Sequence, residues 1–125
     1  MSRPQTLVVG FDGSESSARA LDRAASLAGY GTRLFVAHVV SRRDNVASST
    51  PELDAADTIL TERHVLFERR LLFGDPRSAL LQLATSVGAD LVIVGNGKTT
   101  LERLLSGSVS TYVVHHAPCD VMVVR

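Results

Sequence analysis

The fold is decided by the stretch LVIVGNGKTTLERLLSGSVS, residues 91–110. Its first four residues, Leu91 to Val94, form the continuous apolar run that a strand covered on both faces requires. A glycine-rich loop carrying Lys98 follows, and Gly107-Ser108 then precedes a helical pattern. Glycines let backbone N–H groups approach an oxyanion, and the first N–H groups of a helix attract negative charge. The stretch therefore predicts a buried strand, an anion-binding loop and a helix.

Strand-like and helix-like segments alternate along the rest of the chain. Apolar runs predict strands over residues 6–11, 33–40, 65–73, 90–94 and 120–124. Start signals and apolar residues three or four positions apart predict helices over 14–28, 50–63, 75–88 and 108–116. Such alternation produces right-handed crossovers and a parallel sheet sandwiched between helices. With 125 residues, we expect one α/β domain over residues 1–125.

Residues that start and stop helices support these boundaries. Ser14 and Asp75 are good N-caps, and Pro76 fits the first helical position. Gly29 or Gly31 is expected to end the first helix. The strand over 65–73 carries charge at its centre, which is typical of an edge strand protected from pairing with other chains.

Composition limits the classes of function. Thirteen basic residues balance thirteen acidic ones, so no overall field recruits nucleic acid or an anionic membrane. No apolar run approaches the roughly 20 residues that cross a bilayer, and the N-terminus lacks the apolar core of a signal peptide. The single cysteine, Cys119, fits a reducing compartment. We therefore expect a cytoplasmic protein without nucleic-acid or membrane partners.

The ends of three strands predict where a ligand lies. In open α/β sheets, ligands bind beyond the carboxyl ends of the strands, where the strand order reverses. If strands 1 and 4 are neighbours, Asp12 and Gly95 open loops at the same rim, and Val39 flanks them. An acidic group for sugar hydroxyls, an apolar slot for a base and an amide-rich loop for phosphates together indicate a nucleotide.

Two common phosphate-binding motifs do not fit. Gly97-Lys98-Thr99 ends like a P-loop, but that motif needs a glycine five residues before Gly97, where Val92 lies within the strand. The dinucleotide fingerprint fails because Thr100 stands where its third glycine is required. The sequence therefore disfavours both motifs.

Six motifs carry a family resemblance: VGFDGS (9–14), HVV (38–40), GDP (74–76), GADLVIVG (88–95), GSVS (107–110) and HAPCDVMVV (116–124). On these motifs the chain resembles the universal stress proteins over essentially its whole length. The resemblance implies a doubly wound five-stranded parallel sheet in the order 3-2-1-4-5. It also implies a homodimer formed through the last strand, Asp120 to Val124.

The resemblance extends to the subgroup that binds ATP or related adenine nucleotides, whose loop follows the pattern Gly-x2-Gly-x9-Gly-(Ser/Thr). Gly97-x9-Gly107-Ser108 matches the second half, whereas Asn96 alone separates Gly95 from Gly97, one residue fewer than the pattern. The resemblance implies an adenine nucleotide, with or without Mg²⁺, as ligand. The nucleotide-binding residues it implies are Asp12, Val39, Gly95, Gly97, Lys98, Gly107, Ser108, Val109 and Ser110.

Structural roles compete with these assignments. Asp12 is also suited to brace the turn before Ser14, and the loop serines are suited to cap a helix. His38 lies in a buried-type strand, which favours a hydrogen-bonded core histidine. The other histidines show no metal-ligand spacing with Cys119.

Three functional hypotheses remain. The first is a regulatory, adenine-nucleotide-binding stress protein without catalytic residues, because the sequence shows no nucleophile–base pair. The second is a dimeric interaction module of the same fold that does not bind nucleotide. The third is a weak ATPase.

Overall fold

The computed structural model describes residues 5–40, 50–96 and 109–125, and strands and helices alternate throughout this part of the chain. The strands are β1 (Thr6–Gly10), β2 (Arg33–Val40), β3 (Glu68–Phe73), β4 (Leu91–Gly95) and β5 (Asp120–Val124). The helices are α1 (Glu15–Leu27), α2 (Pro51–Glu62), α3 (Pro76–Val87) and α4 (Val109–His116).

The five strands form one parallel sheet in the order β3-β2-β1-β4-β5. Val8 of β1 pairs with Phe35 of β2 on one side and with Val92 of β4 on the other. The order runs outward from β1 in one direction and from β4 in the other, so the switch point lies between these two strands. The predicted doubly wound fold and its strand order are confirmed.

Strand alternation separates the interior into two layers. Leu7, Val9 and Leu34 face α1 and α2, together with Ile93 of β4. Val8, Phe35 and Val92 face the opposite way, where Leu80 of α3 and Val113 of α4 cover them. All these side chains are buried, which explains why the strands β1, β2 and β4 carry continuous apolar runs.

The helices α1 and α2 begin at side-chain caps, and Ser14 is the cap predicted for α1. The hydroxyl oxygens of Ser14 and Thr50 each accept a hydrogen bond from an amide of the first turn, at 3.2 Å in both cases. The end of α1 differs from the prediction. The helix stops at Leu27 with Ala28 as its C-cap in extended conformation, while the amide of Gly29 donates to Thr32 Oγ1 at 2.9 Å. Neither predicted glycine is the C-cap.

The edge strand β3 is charged, as predicted, and its charges are paired. Arg69 reaches Asp57 of α2 at 2.8 Å, and Glu68 reaches Arg33 of β2 at 3.0 Å. The guanidinium of Arg70 lies 5.0 Å from the ring centre of Phe35. The strand is shorter than predicted because it begins at Glu68.

Of the helices in the described ranges, none is long and apolar enough to cross a membrane.

A long-range contact fixes the start of β1. Asp90 Oδ2 accepts hydrogen bonds from the amides of Gln5 and Thr6 at 2.9 and 2.8 Å. The amide of Asp90 donates in turn to the Thr6 carbonyl at 2.8 Å. The residue that precedes β4 therefore sets the register of the first strand.

Asp75 offers a test of helix capping. Its Oδ1 accepts from the Arg77 amide at 3.0 Å, and the Arg77 side chain also contacts the carboxylate. These hydrogen bonds, the side-chain one first, hold the pKa of the Asp75 carboxyl below its usual value. We expect Asp75→Ala to lower the free energy of unfolding by about 1 kcal/mol, measured by urea denaturation.

The pH dependence follows from the lowered pKa. Because the folded pKa lies below the unfolded one, the charge of Asp75 contributes stability above the unfolded pKa, and this is lost as the pH falls through the folded pKa. Asp75→Asn keeps the acceptor and removes the charge. The free energy of unfolding of this variant should therefore lie below that of the wild type at neutral pH and equal it in acid. A difference that is constant with pH would contradict this account.

Candidate functional site

The candidate site lies at the carboxyl ends of the three central strands. Residues after β1, at the end of β2 and at the end of β4 meet at this rim because the strands are parallel neighbours. The amide of Phe11 donates to the Ala37 carbonyl at 2.8 Å, and the amide of Asn96 donates to Val124 at 2.8 Å. Sheet-like hydrogen bonding therefore continues just past the strands, and loops start beyond it.

Asp12 starts the loop that follows β1. Its Oδ1 accepts a hydrogen bond from the Ser14 amide at 2.9 Å, and Gly13 between them has φ +85°, which favours glycine. Asp12 is exposed at the rim, whereas Ser14 is buried at the start of α1. Asp12 thus braces the turn, as the alternative interpretation expected, and also presents a carboxylate to the rim.

Gly95 lies directly against the first turn of α1. A Cβ atom added to Gly95 would lie 2.8 Å from the Ser16 carbonyl carbon and 2.8 Å from the Ser17 nitrogen, and it would also overlap Ser16 Oγ. Backbone atoms cannot move aside as a flexible side chain does. The packing of α1 against β4 therefore requires glycine at position 95, a need that the sequence pattern did not reveal.

The first turn of α2 covers the loop after β1. Glu52 packs its side chain over Gly13, and its carboxylate oxygen Oε2 lies 3.6 Å from His38 Nε2. His38 is buried, with Nδ1 2.9 Å from the Phe11 carbonyl oxygen, so the predicted hydrogen-bonded core histidine is confirmed. Sequence reasoning missed Glu52. Its only signal was its position next to Pro51 at the start of a short helix.

The remaining predicted site residues divide into two groups. Val39 is half-buried near the end of β2 and pairs with Leu72, on the sheet face that α3 covers. Val109 is the half-buried first residue of α4, which also contains Ser110. The others lie outside the described residues: Gly97, Lys98, Gly107 and Ser108.

The structure also describes the surroundings of His116 and of the single cysteine, Cys119. Within residues 5–40, 50–96 and 109–125, no three of His, Cys, Asp and Glu are grouped to hold a metal ion. His116 is exposed, and its ring stacks on that of Tyr112 with 4.1 Å between the ring centres. Burial, and then the charges of Asp120 and Asp90, raise the pKa of the Cys119 thiol and so disfavour the thiolate.

The sheet order and the rim define the class of doubly wound α/β domains with a ligand cleft at the switch point. Residues 4–125 match the universal stress protein family. The chain is 34% identical to the universal stress protein Rv1636 of Mycobacterium tuberculosis over 144 aligned positions, which cover 100% of this chain and 99% of the relative. The chain therefore belongs to the universal stress protein family.

Two further comparisons agree. A putative universal stress protein of Staphylococcus saprophyticus, SSP1056, is 31% identical over 97% of this chain and 83% of its own length. A crystal structure of a universal stress protein in complex with cAMP superposes with a TM-score of 0.81 at 32% identity, covering 99% of each chain.

The contact of Gly95 with α1 can be tested by stability. We expect Gly95→Ala to lower the free energy of unfolding by about 1–3 kcal/mol, because the added methyl group must displace the backbone of α1. Gly10→Ala is the matched control, since its nearest neighbour is a side-chain carbon of Leu80 at 3.4 Å. Urea denaturation of both variants measures the difference.

A double variant separates backbone from side-chain overlap. Because two of the three closest atoms to the added Cβ belong to the backbone, Ser16→Ala should not restore the stability of Gly95→Ala. Full recovery in the double variant would show that the hydroxyl of Ser16 alone makes position 95 intolerant.

Proposed function

We propose that this chain binds an adenine nucleotide at the carboxyl rim of β1, β2 and β4 and acts as a regulatory stress protein. The observation that carries the proposal is the switch point between β1 and β4, where an exposed carboxylate, Asp12, lies beside the strand that leads into the glycine-rich loop. The relative with a TM-score of 0.81 was crystallised with cAMP, an adenine nucleotide, which supports the same ligand class here.

The described side chains fit the sugar and base of such a ligand. Asp12 is an acceptor for ribose hydroxyls, and Val39 is an apolar residue at the neighbouring strand end. In the proposed complex, Gly97, Lys98, Gly107, Ser108 and Ser110 hold the phosphates. An ATP ligand brings Mg²⁺ with its phosphates.

The proposed activity is a switch rather than a reaction. A nucleotide changes the affinity for a protein partner only if it binds one conformation more tightly than another. Hydrolysis is not part of the proposal, because the sequence offers no nucleophile–base pair. We place the protein in the cytoplasm.

Nucleotide binding is tested by isothermal titration of the purified protein with ATP, AMP and cyclic AMP. Asp12→Asn keeps the acceptor for the Ser14 amide but removes the charge, so it should weaken binding by about tenfold while the fold is retained. Gly107→Val should abolish binding. If none of the three nucleotides binds at millimolar concentration, the chain is instead an interaction module of the same fold.

We further propose that the protein is a homodimer joined through β5. This strand pairs with β4 only, so its outer backbone edge is open among the described residues, and Val123 on it is 41% exposed. Two copies related by a two-fold axis can pair these edges.

The dimer is tested by light scattering after size exclusion. Val123→Lys should shift the protein from dimer to monomer, because it places two unpaired ammonium groups in the interface. Leu66→Lys is the control, since Leu66 is also an exposed apolar residue but precedes β3 at the opposite edge. An unchanged dimer in Val123→Lys would refute the assignment of the interface to β5.

A further inference from the structure

Glu52 is a second carboxylate at the rim where Asp12 lies. Gly13 separates the two residues: it follows Asp12 in the chain, and the side chain of Glu52 packs over it. Glu52 is held in place by the start of α2. Thr50 Oγ1 accepts from the Leu53 amide at 3.2 Å, and Leu53 is fully buried against the α1 side of the sheet. The backbone that carries the carboxylate is therefore anchored at the start of the helix.

His38 faces this carboxylate with an unfilled acceptor. Its Nδ1 lies 2.9 Å from the Phe11 carbonyl oxygen, which only accepts, so Nδ1 must be the nitrogen that carries the proton. In the neutral ring, Nε2 is then a lone-pair acceptor. It faces Glu52 Oε2, another acceptor, at 3.6 Å, which is too long for a hydrogen bond.

In this form the pair consists of two acceptors that face each other. Only 9% of His38 is exposed, and within residues 5–40, 50–96 and 109–125 no side chain or amide donates to its Nε2 or to the Glu52 carboxylate. Among the described residues, the side-chain atom that is fully buried without a partner is Asp57 Oδ1, so His38 Nε2 and the 39% exposed side chain of Glu52 are both accessible at the rim. Two acceptors 3.6 Å apart at a ligand rim are suited to two adjacent hydroxyl groups, each of which donates to one acceptor.

The negative charges at this rim indicate which part of a nucleotide binds beside Glu52. The carboxylates of Asp12 and Glu52 repel phosphates, so a neutral group that carries donors must face them. A ribose with vicinal hydroxyls meets this requirement, and carboxylates are the groups that hold ribose hydroxyls in dinucleotide-binding folds.

We propose that Glu52 determines sugar specificity: its carboxylate and His38 Nε2 accept hydrogen bonds from the ribose of the bound nucleotide, from the 2′-hydroxyl and, in nucleotides where it is free, from the 3′-hydroxyl. The inference rests on the proposed nucleotide function. It adds a residue of α2 to the site and assigns the chain a preference for ribonucleotides over deoxyribonucleotides.

The test is isothermal titration of the full chain with AMP, 2′-deoxyAMP, 3′-deoxyAMP and IMP. Wild type should bind AMP about tenfold more tightly than at least one deoxy analogue, because a hydrogen bond to a charged acceptor is lost. Glu52→Ala should reduce this preference to about twofold or less, mainly by lowering the affinity for AMP. Glu62→Ala is the control, an exposed glutamate at the far end of the same helix.

Each outcome decides between alternatives. A wild-type preference below about twofold, an equal loss for AMP and both deoxy analogues, or a preference unchanged by Glu52→Ala overturns the inference and leaves Glu52 a structural contact of α2. If Glu52→Ala instead removes the preference for AMP over IMP, the carboxylate contacts the base, and the sugar assignment is wrong. If wild type binds none of the four nucleotides, the proposed function fails and the inference fails with it. Thermal unfolding followed by circular dichroism shows whether each variant is folded.

Discussion

The close contact between Gly95 and the first turn of α1 is the constraint on which the rim depends. Because α1 starts directly after the Asp12 loop, its position relative to β4 sets the distance between the loops that follow β1 and β4. A side chain at position 95 would separate the helix from the strand. Ser16 and Ser17 of this turn are buried, and the Ser16 side chain also lies against Gly95. The geometry of the rim is thus determined by backbone packing within the protein, before any ligand contributes.

The rim has two chemically different sides. On the β1 and α2 side lie carboxylates and a buried imidazole, which suit neutral donors. On the β4 side the chain leads into a glycine-rich segment that carries a lysine, which suits anions. In the proposed complex this polarity orients the nucleotide, with its sugar towards α2 and its phosphates towards the start of α4.

Much of the fold could be predicted from the sequence because the strands are buried on both faces. The runs around Val8, Phe35 and Val92 are continuous, so their type and order along the chain were predicted correctly. Boundaries were less predictable. α1 ends at Leu27 with Ala28 as its C-cap, and the glycine that follows belongs to a separate turn, in which Gly29 and Thr32 exchange two hydrogen bonds. Strand β3 starts later than its apolar pattern suggested.

The site could be predicted only in part, for a physical reason. Asp12 and Val39 were predicted because the ends of parallel strands share a rim, which follows from topology. The role of Gly95 in packing and the position of Glu52 depend on how closely helices approach the sheet, which no local pattern encodes. The alignment with the mycobacterial relative spans 144 positions, 19 more than the 125 residues of this chain, so the two proteins differ in the lengths of some segments.

The central position of β1 also affects the order of folding. The ribosome releases β1 first, yet one of its two neighbours, β4, and the carboxylate of Asp90 that binds its first amides are synthesised more than 80 residues later. Until then any sheet formed by β1, β2 and β3 leaves one edge of the buried strand β1 open, a surface prone to aggregation. Closing that edge requires contacts distant in sequence, which slow folding. The centre of the sheet is therefore completed only after its β3 side has formed, and a nascent chain is most in need of chaperones during that interval.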